Sequence, residues 1–327
     1  MTVESIYMPG APDSNSLEVT PTLELQSCNH LLDDHEALMR FHDEEGYILL
    51  RNVLDPDSVE EARAAMFAVM ERHGLIEPGA RVPVWTGKPF AGGMEESPEF
   101  AGIARKLIEN PANAKLFEKV LGEPASFIPI AQYRTYPPGG SVTGIHQDGF
   151  YSPGIKEYKP VWTTLANCER EVGGLMVAVR QCNRGYIHNM AKTPSPIPAG
   201  LIPDDCWATT DYFPGDVLII HPYAPHASMP NTSNRCRVTI DTRVQSAAEP
   251  RVIAATIVKA NEDSITVKTR EGAERTFRVD DDTFIRVDNP GVRQPCKEYV
   301  ATATPGKGIV VVFDGDHAET LRRCSEN

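Results

Sequence analysis

The stretch Gly215-Asp216-Val217-Leu218-Ile219-Ile220-His221-Pro222-Tyr223-Ala224-Pro225-His226-Ala227-Ser228-Met229-Pro230-Asn231-Thr232-Ser233-Asn234-Arg235-Cys236-Arg237 reads as turn, buried strand, polar loop and strand. Pro230 to Asn234 is a cluster of turn residues, so the flanking segments are expected to pair as antiparallel neighbours. His226 and Arg237 then lie nearly opposite each other, and Ser228 shares the His226 face. Eighty residues upstream stands His146-Gln147-Asp148, which also reads as strand. Side chains alternate along a strand, so His146 and Asp148 point the same way. Two imidazoles and a carboxylate on one side of a metal leave the other side open, the donor set of a non-haem Fe(II) centre. A His-x-Asp pair alone arises readily by chance among nine histidines; the ordered sequence of His146, Asp148, His226 and Arg237 carries the reading. His221 competes with His226 as a ligand and Arg235 with Arg237 as an anchor.

Around these residues the chain resembles the phytanoyl-CoA dioxygenase family. The resemblance rests on Glu45-Gly46-Tyr47-Ile48-Leu49-Leu50-Arg51-Asn52-Val53-Leu54 leading into a helix, then His146-Gln147-Asp148, Gly173-Gly174-Leu175, and His226 with Asn231-Thr232-Ser233 and Arg237. It covers about residues 40 to 245. It implies a double-stranded β-helix, Fe(II), and 2-oxoglutarate as co-substrate with O2. By the same resemblance, Arg237 and Ser228 hold the distal carboxylate of 2-oxoglutarate and Trp162 lines the pocket. Thr164 shares the Trp162 face, and either Gln132 or Tyr133 on the preceding strand is within reach. Where the family often has Pro-Gly-Ser-His after the Gly-Leu strand, this chain has Val179-Arg180-Gln181-Cys182-Asn183-Arg184-Gly185, so the acyl-CoA substrate is not carried over. Arg180, Arg184 and Arg243 are candidate contacts for an anionic substrate.

The resemblance implies decarboxylation of 2-oxoglutarate to succinate and CO2, coupled to hydroxylation of a small molecule. Asp148 fills the position that a halogenating site leaves open, whereas desaturation, ring closure and endoperoxidation differ only in the fate of the substrate. A cupin-like metalloenzyme that does not use 2-oxoglutarate, and a silent ligand-binding protein, are the alternative classes.

The wider sequence frames this reading. A formal charge of -13 over 327 residues argues against a nucleic-acid or anionic-membrane partner. No apolar run approaches a membrane span and the N-terminus lacks a signal-like core, so a cytoplasmic protein is expected. Seven scattered cysteines suggest free thiols.

The fold expected is α+β and mainly β: a cupin-like jelly roll with flanking N-terminal helices and a small C-terminal all-β domain. Residues 1–30 read as a loose leader, although Leu23-Glu24-Leu25 could add a strand. Residues 31–249 form the oxygenase domain. Its helices fall within 55–121: one follows Asp55-Pro56 and buries Val59, Ala62, Met66, Val69 and Met70, and a second covers Phe100 to Leu121. The β-helix runs from 126 to 248, with a proline-rich lid at 190–212. Residues 250–327 make a small barrel closed by a terminal helix, suited to docking on the oxygenase domain or building a homodimer. Along Val238 to Val244, Arg237, Thr239, Asp241 and Arg243 share one face and Val238, Ile240 and Val244 the other.

Overall fold

In a computed structural model, residues 19–88, 98–140, 142–151, 158–189, 196–198, 200–286 and 296–323 are described. The chain is mainly β with a few helices. Four helices come early: α1 (His35–Glu45), α2 (Pro56–Arg72), α3 (Pro98–Glu109) and α4 (Pro111–Leu121). The strands of the first two sheets are β1 (Leu23–Glu24), β2 (Tyr47–Leu50), β3 (Ala125–Tyr136), β4 (Lys159–Thr164), β5 (Leu175–Ala178), β6 (Trp207–Thr209), β7 (Val217–Ile220), β8 (His226–Ser228) and β9 (Arg237–Ser246). A single-turn helix, α5 (Asp148–Tyr151), lies between β3 and β4.

Helix starts are written in local chemistry. Asp55 accepts the Ser58 N–H with Pro56 at the first helical position, and the five apolar residues expected on the α2 stripe are all buried. Burying each of the Val and Met side chains is worth about 1.5–3 kcal/mol before entropy is counted. The single helix expected over 100–121 is two. Asn110 caps the second through the Ala112 N–H, and Pro111 cannot donate to the carbonyl four residues back. Helix α1 was not anticipated, although its signals are present: Asp34 accepts the Ala37 N–H, and Gly46 ends it with φ 89°.

Among the described residues, one sheet has the order β2-β7-β4-β9-β3 and another the order β1-β6-β5-β8. Alternation sorts their side chains. Ile48, Leu50, Val161, Val217, Ile219, Val238, Ile240 and Val244 join the helix-covered core, whereas Tyr47, Leu49, Trp162, Leu218 and Ile220 meet Leu175, Val177 and Ala208 between the sheets. The apolar face expected for β9 is therefore the helix-facing one.

Two expectations about the central stretch fail. β8 and β9 do not form a hairpin, because β8 pairs with β5 in one sheet and β9 with β3 and β4 in the other. Asn231 makes the corner. Its side chain donates to the Tyr136 and Arg235 carbonyls and accepts the Ser233 N–H, carrying the chain between sheets. Residues 146–148 are not a strand either. His146 makes one antiparallel bridge with His226, and Asp148 already begins α5.

Within the segment read as a lid, residues 190–195 and 199 lie outside the described residues. The end of that segment is not a cover: β6 pairs with β5 and β1, and Trp207 is fully buried. The strand allowed for at Leu23-Glu24-Leu25 forms as β1, which joins that sheet, and Ser27 bridges Leu49.

The later strands are β10 (Val252–Asn261), β11 (Ser264–Thr269), β12 (Glu274–Arg278), β13 (Phe284–Arg286), β14 (Gly308–Asp314) and β15 (His317–Arg323), with α6 (Cys296–Thr302) before β14. They form a separate sheet in the order β12-β11-β10-β14-β15-β13, and Arg278 pairs back to His317 so that β12 meets β15 and the ladder closes. The terminal helix expected is strand β15. Ala318, Thr320 and Leu321 are all buried, and the strand is set by pairing with β14, a long-range contact no local propensity encodes.

Cys28, Cys168, Cys182, Cys206, Cys236 and Cys296 are free and buried. Among the described residues no helix is long and apolar enough to cross a membrane.

Candidate metal and co-substrate site

His146 and His226 sit side by side because their backbones pair, with N–H···O distances of 3.0 and 2.9 Å in the two directions. Their ring centroids are 4.2 Å apart. Each Nδ1 faces a backbone carbonyl, Gly144 at 2.9 Å and Ala224 at 3.0 Å. A carbonyl only accepts, so Nδ1 carries the proton and Nε2 the lone pair. Both Nε2 atoms face the same oxygen, Asp148 Oδ1, at 3.6 and 4.0 Å. These ligand atoms lie within 4.8 Å of one another.

The electrostatics suit a cation. Burial, then His146, pushes the His226 pKa down to about 4, so the ring is neutral at neutral pH. Burial alone would raise Asp148, but Arg243, followed by His146 and His226, reverses this and holds its carboxyl well below the usual range. The donor set is therefore the neutral His226 imidazole, the His146 imidazole and the Asp148 carboxylate.

A cavity opens beside them, lined by His146, Asp148, His226, Trp162, Ser228 and Arg237 among others. Arg237 is 1% exposed, donates to the Gly173 carbonyl at 2.5 Å and to Ser228 Oγ at 3.1 Å, and lies 4.2 Å from the Tyr136 ring centre. Gly173, with φ 84°, has to be glycine here: a Cβ would meet the Met229 and Pro230 carbonyls at 2.4 and 2.8 Å. Arg237 and Ser228 thus meet across the two sheets rather than across a hairpin.

Other sequence candidates fall elsewhere. Thr164 is buried, but its hydroxyl donates to the Ala166 carbonyl and it is not among the lining residues. Gln132 is in register with Asp241, which lines the cavity; the Gln132 side chain lies outside the described set. Arg180 is largely exposed and pairs with Glu45 at 2.9 Å. Arg184 donates to Gln181 and to the Leu201 carbonyl. Arg243 is buried behind Asp148, 3.4 Å from Oδ2. None of these three lines the cavity.

The two rivals also separate. Arg235 pairs with Glu169 and Glu171. His221 joins His42 and Asp43 in a second cluster, where the Tyr223 N–H donates to its Nδ1 at 3.1 Å. That places the proton of the neutral ring on Nε2, so no lone pair faces Asp43.

Sequence reasoning missed Gln147. It is fully buried, donates to the Gly185 and Tyr223 carbonyls at 2.8 and 2.7 Å, and accepts the Ile187 N–H at 2.9 Å. A polar residue between two candidate ligands, pointing the opposite way, was the available signal.

The described residues form a mainly β frame whose two sheets bring two imidazoles, a carboxylate and a buried arginine to one candidate metal site. The chain belongs to the phytanoyl-CoA dioxygenase (PhyH) family, whose model matches residues 42–239, and it is accordingly an oxygenase. It is 32% identical over 252 residues to the 1-deoxypentalenic acid 11-beta-hydroxylase of Streptomyces exfoliatus, covering 71% of this chain and 89% of that one. The Streptomyces arenae protein described by the same words is 31% identical over 245 residues, covering 68% and 86%. In fold the chain is similar to EctD from S. alaskensis, solved with 2-oxoglutarate and 5-hydroxyectoine. The TM-score is 0.50 at 16% identity, over 76% of this chain and 87% of that one.

Proposed function

We propose that the protein is an Fe(II)- and 2-oxoglutarate-dependent dioxygenase that hydroxylates an unactivated C–H bond of a small molecule in secondary metabolism. The observation that carries this is the convergence of two Nε2 lone pairs and Asp148 Oδ1 beside a buried guanidinium. The relatives' description as hydroxylases of a small organic acid supports the reaction type. On this reading the two facing sheets are the double-stranded β-helix, residues 31–249 the oxygenase domain and residues 250–327 an appended domain.

His146, Asp148 and His226 would hold the iron. When bound, iron with 2-oxoglutarate and O2 supplies the oxidising power, with decarboxylation to succinate and CO2 coupled to oxygen insertion. The chain's own residues do the rest. The Gly144 and Ala224 carbonyls keep both rings in the ligating tautomer. Arg237, oriented by Gly173 and Ser228, presents a cation to the distal carboxylate of 2-oxoglutarate. Trp162, Leu175 and Ile220 wall the cavity against water. Asp148 supplies a carboxylate where a halogenating site needs a vacancy, which favours hydroxylation.

The test is Fe(II)-dependent conversion of 2-oxoglutarate to succinate, measured across a panel of small organic acids and polycyclic compounds. Substrate-stimulated succinate with an oxygenated product supports the proposal. Product formation that is indifferent to 2-oxoglutarate contradicts it and favours a cupin-like enzyme.

A further inference from the structure

The strands after residue 252 lie outside the family match, yet they reach the metal site through two buried side chains. Asp148 divides its oxygens: Oδ1 faces the imidazoles, and Oδ2 faces Arg243 Nη2 at 3.4 Å, with the two side chains only 8% and 7% exposed. Arg243 is held in β9 between Ile128 of β3 and Pro160 of β4. The Tyr158 phenol lies in polar contact with its guanidinium.

Tyr158, in turn, is 2% exposed and packs in a cluster with Ile128, Val252, Val310 and Val312. The last three belong to β10 and β14, where Val252 pairs with Val312 and Val310 with Ala254. Alternation gives β14 two apolar faces. Ile309, Val311 and Phe313 fill the barrel, while Val310 and Val312 turn toward Tyr158. The joint itself is clipped by Gln245, on the Arg243 face of β9, which donates to the Val252 carbonyl at 2.8 Å and accepts the Arg251 and Val252 N–H groups at 2.9 and 3.1 Å.

We propose that the barrel of residues 252–323 braces the iron-ligating carboxylate from behind: Arg243 and Tyr158 are positioning residues that keep Asp148 Oδ1 turned to the imidazoles, and the barrel holds Tyr158. The inference rests on the reading of His146, Asp148 and His226 as the iron ligands. A carboxylate with one oxygen held by a guanidinium presents the other as a single donor. Without Arg243 the group is free to rotate or to offer both oxygens, which fills a position that the open face needs.

The experiment is anaerobic Fe(II) titration against a chelator, with the visible spectrum of the Co(II)-loaded full-length protein as a second readout. Loss of an outer partner of a ligand typically costs about 10–100-fold in metal affinity, so Arg243→Met should fall in that range with a shifted Co(II) spectrum. Arg243→Lys should recover part of the loss. Tyr158→Phe and the double variant Val310→Ala/Val312→Ala should lie in between, with smaller shifts of the Co(II) spectrum. If Arg243→Met does not fold, Tyr158→Phe and the valine pair carry the test. Wild-type affinity and spectrum in both of those overturn the proposal. Failure of the wild-type protein to bind Fe(II) overturns the ligand assignment instead.

Discussion

Arg237→Ala removes a buried lining cation placed to anchor a dianionic co-substrate. The guanidinium is 1% exposed, and its neighbours Gly173 O and Ser228 Oγ are fixed by a glycine turn and by β8. Truncating one partner of a buried charge-assisted pair costs about 2–5 kcal/mol. At about 1.4 kcal/mol per factor of ten, the Kd for 2-oxoglutarate should rise by about 25-fold to a few thousandfold. Two side effects accompany the change: the Gly173 carbonyl and the Ser228 hydroxyl lose a donor, which lowers stability by about 1–3 kcal/mol. Calorimetric titration of 2-oxoglutarate into the Fe(II)-loaded protein measures the first effect, and thermal unfolding the second. Fe(II) affinity should stay within about threefold of wild type, since none of the proposed ligands is bonded to Arg237. Arg237→Lys keeps the charge but loses the fork, and should fall between the two. A folded Arg237→Ala protein with unchanged 2-oxoglutarate affinity would refute the anchor.

The other predictions follow from neighbouring contacts. Gly173→Ala forces a Cβ to 2.4 Å from the Met229 carbonyl, so its melting temperature should drop and its 2-oxoglutarate affinity should weaken as the Arg237 acceptor moves; an unaltered melting curve contradicts this. Gln147→Ala leaves two part-buried carbonyls and one buried N–H without this partner; an unsatisfied buried group costs about 1–3 kcal/mol, so denaturant unfolding should show a loss of at least about 2 kcal/mol. Burial, partly opposed by Asp43, pushes the His42 pKa from 6.5 down to about 4. The unfolded chain therefore binds the proton first, so this contribution is fully present above pH 6.5 and is lost as pH falls toward 4, on the order of 3 kcal/mol in all. In His42→Gln, unfolding free energy should fall less steeply across that window than in wild type; an identical slope would remove His42 as a cause.

Local chemistry made much of this fold readable. Asp55-Pro56 and the Val59 to Met70 stripe located a helix because cap and periodicity agree within one element. The alternation of Val238, Ile240 and Val244 with Arg237, Asp241 and Arg243 separated packing from chemistry on β9 because a strand's faces follow from parity alone. Pairing was less legible. The Pro230–Asn234 cluster looks like a hairpin turn, but whether a turn reverses the chain within a sheet or carries it across to another depends on the Tyr136 carbonyl that Asn231 finds, a partner 95 residues away. His146 and Asp148 do converge, but through a backbone bridge and the first turn of α5, not through strand alternation. The side chains that converge were visible for a partly wrong geometric reason. The same limit hid the placement of Arg243, whose partner Asp148 opens α5 in another part of the chain, and β15, which owes its conformation to β14.

The central claim is that His146, Asp148 and His226 hold one iron ion that 2-oxoglutarate can chelate. Anaerobic addition of Fe(II) and then 2-oxoglutarate to the purified protein tests it directly. The account predicts one equivalent of Fe(II) per chain and a weak visible charge-transfer band that appears only with both additions, and that is absent from His146→Ala and Asp148→Ala. A wild-type protein that shows no band at saturating concentrations, or a variant that keeps the full band, would contradict it.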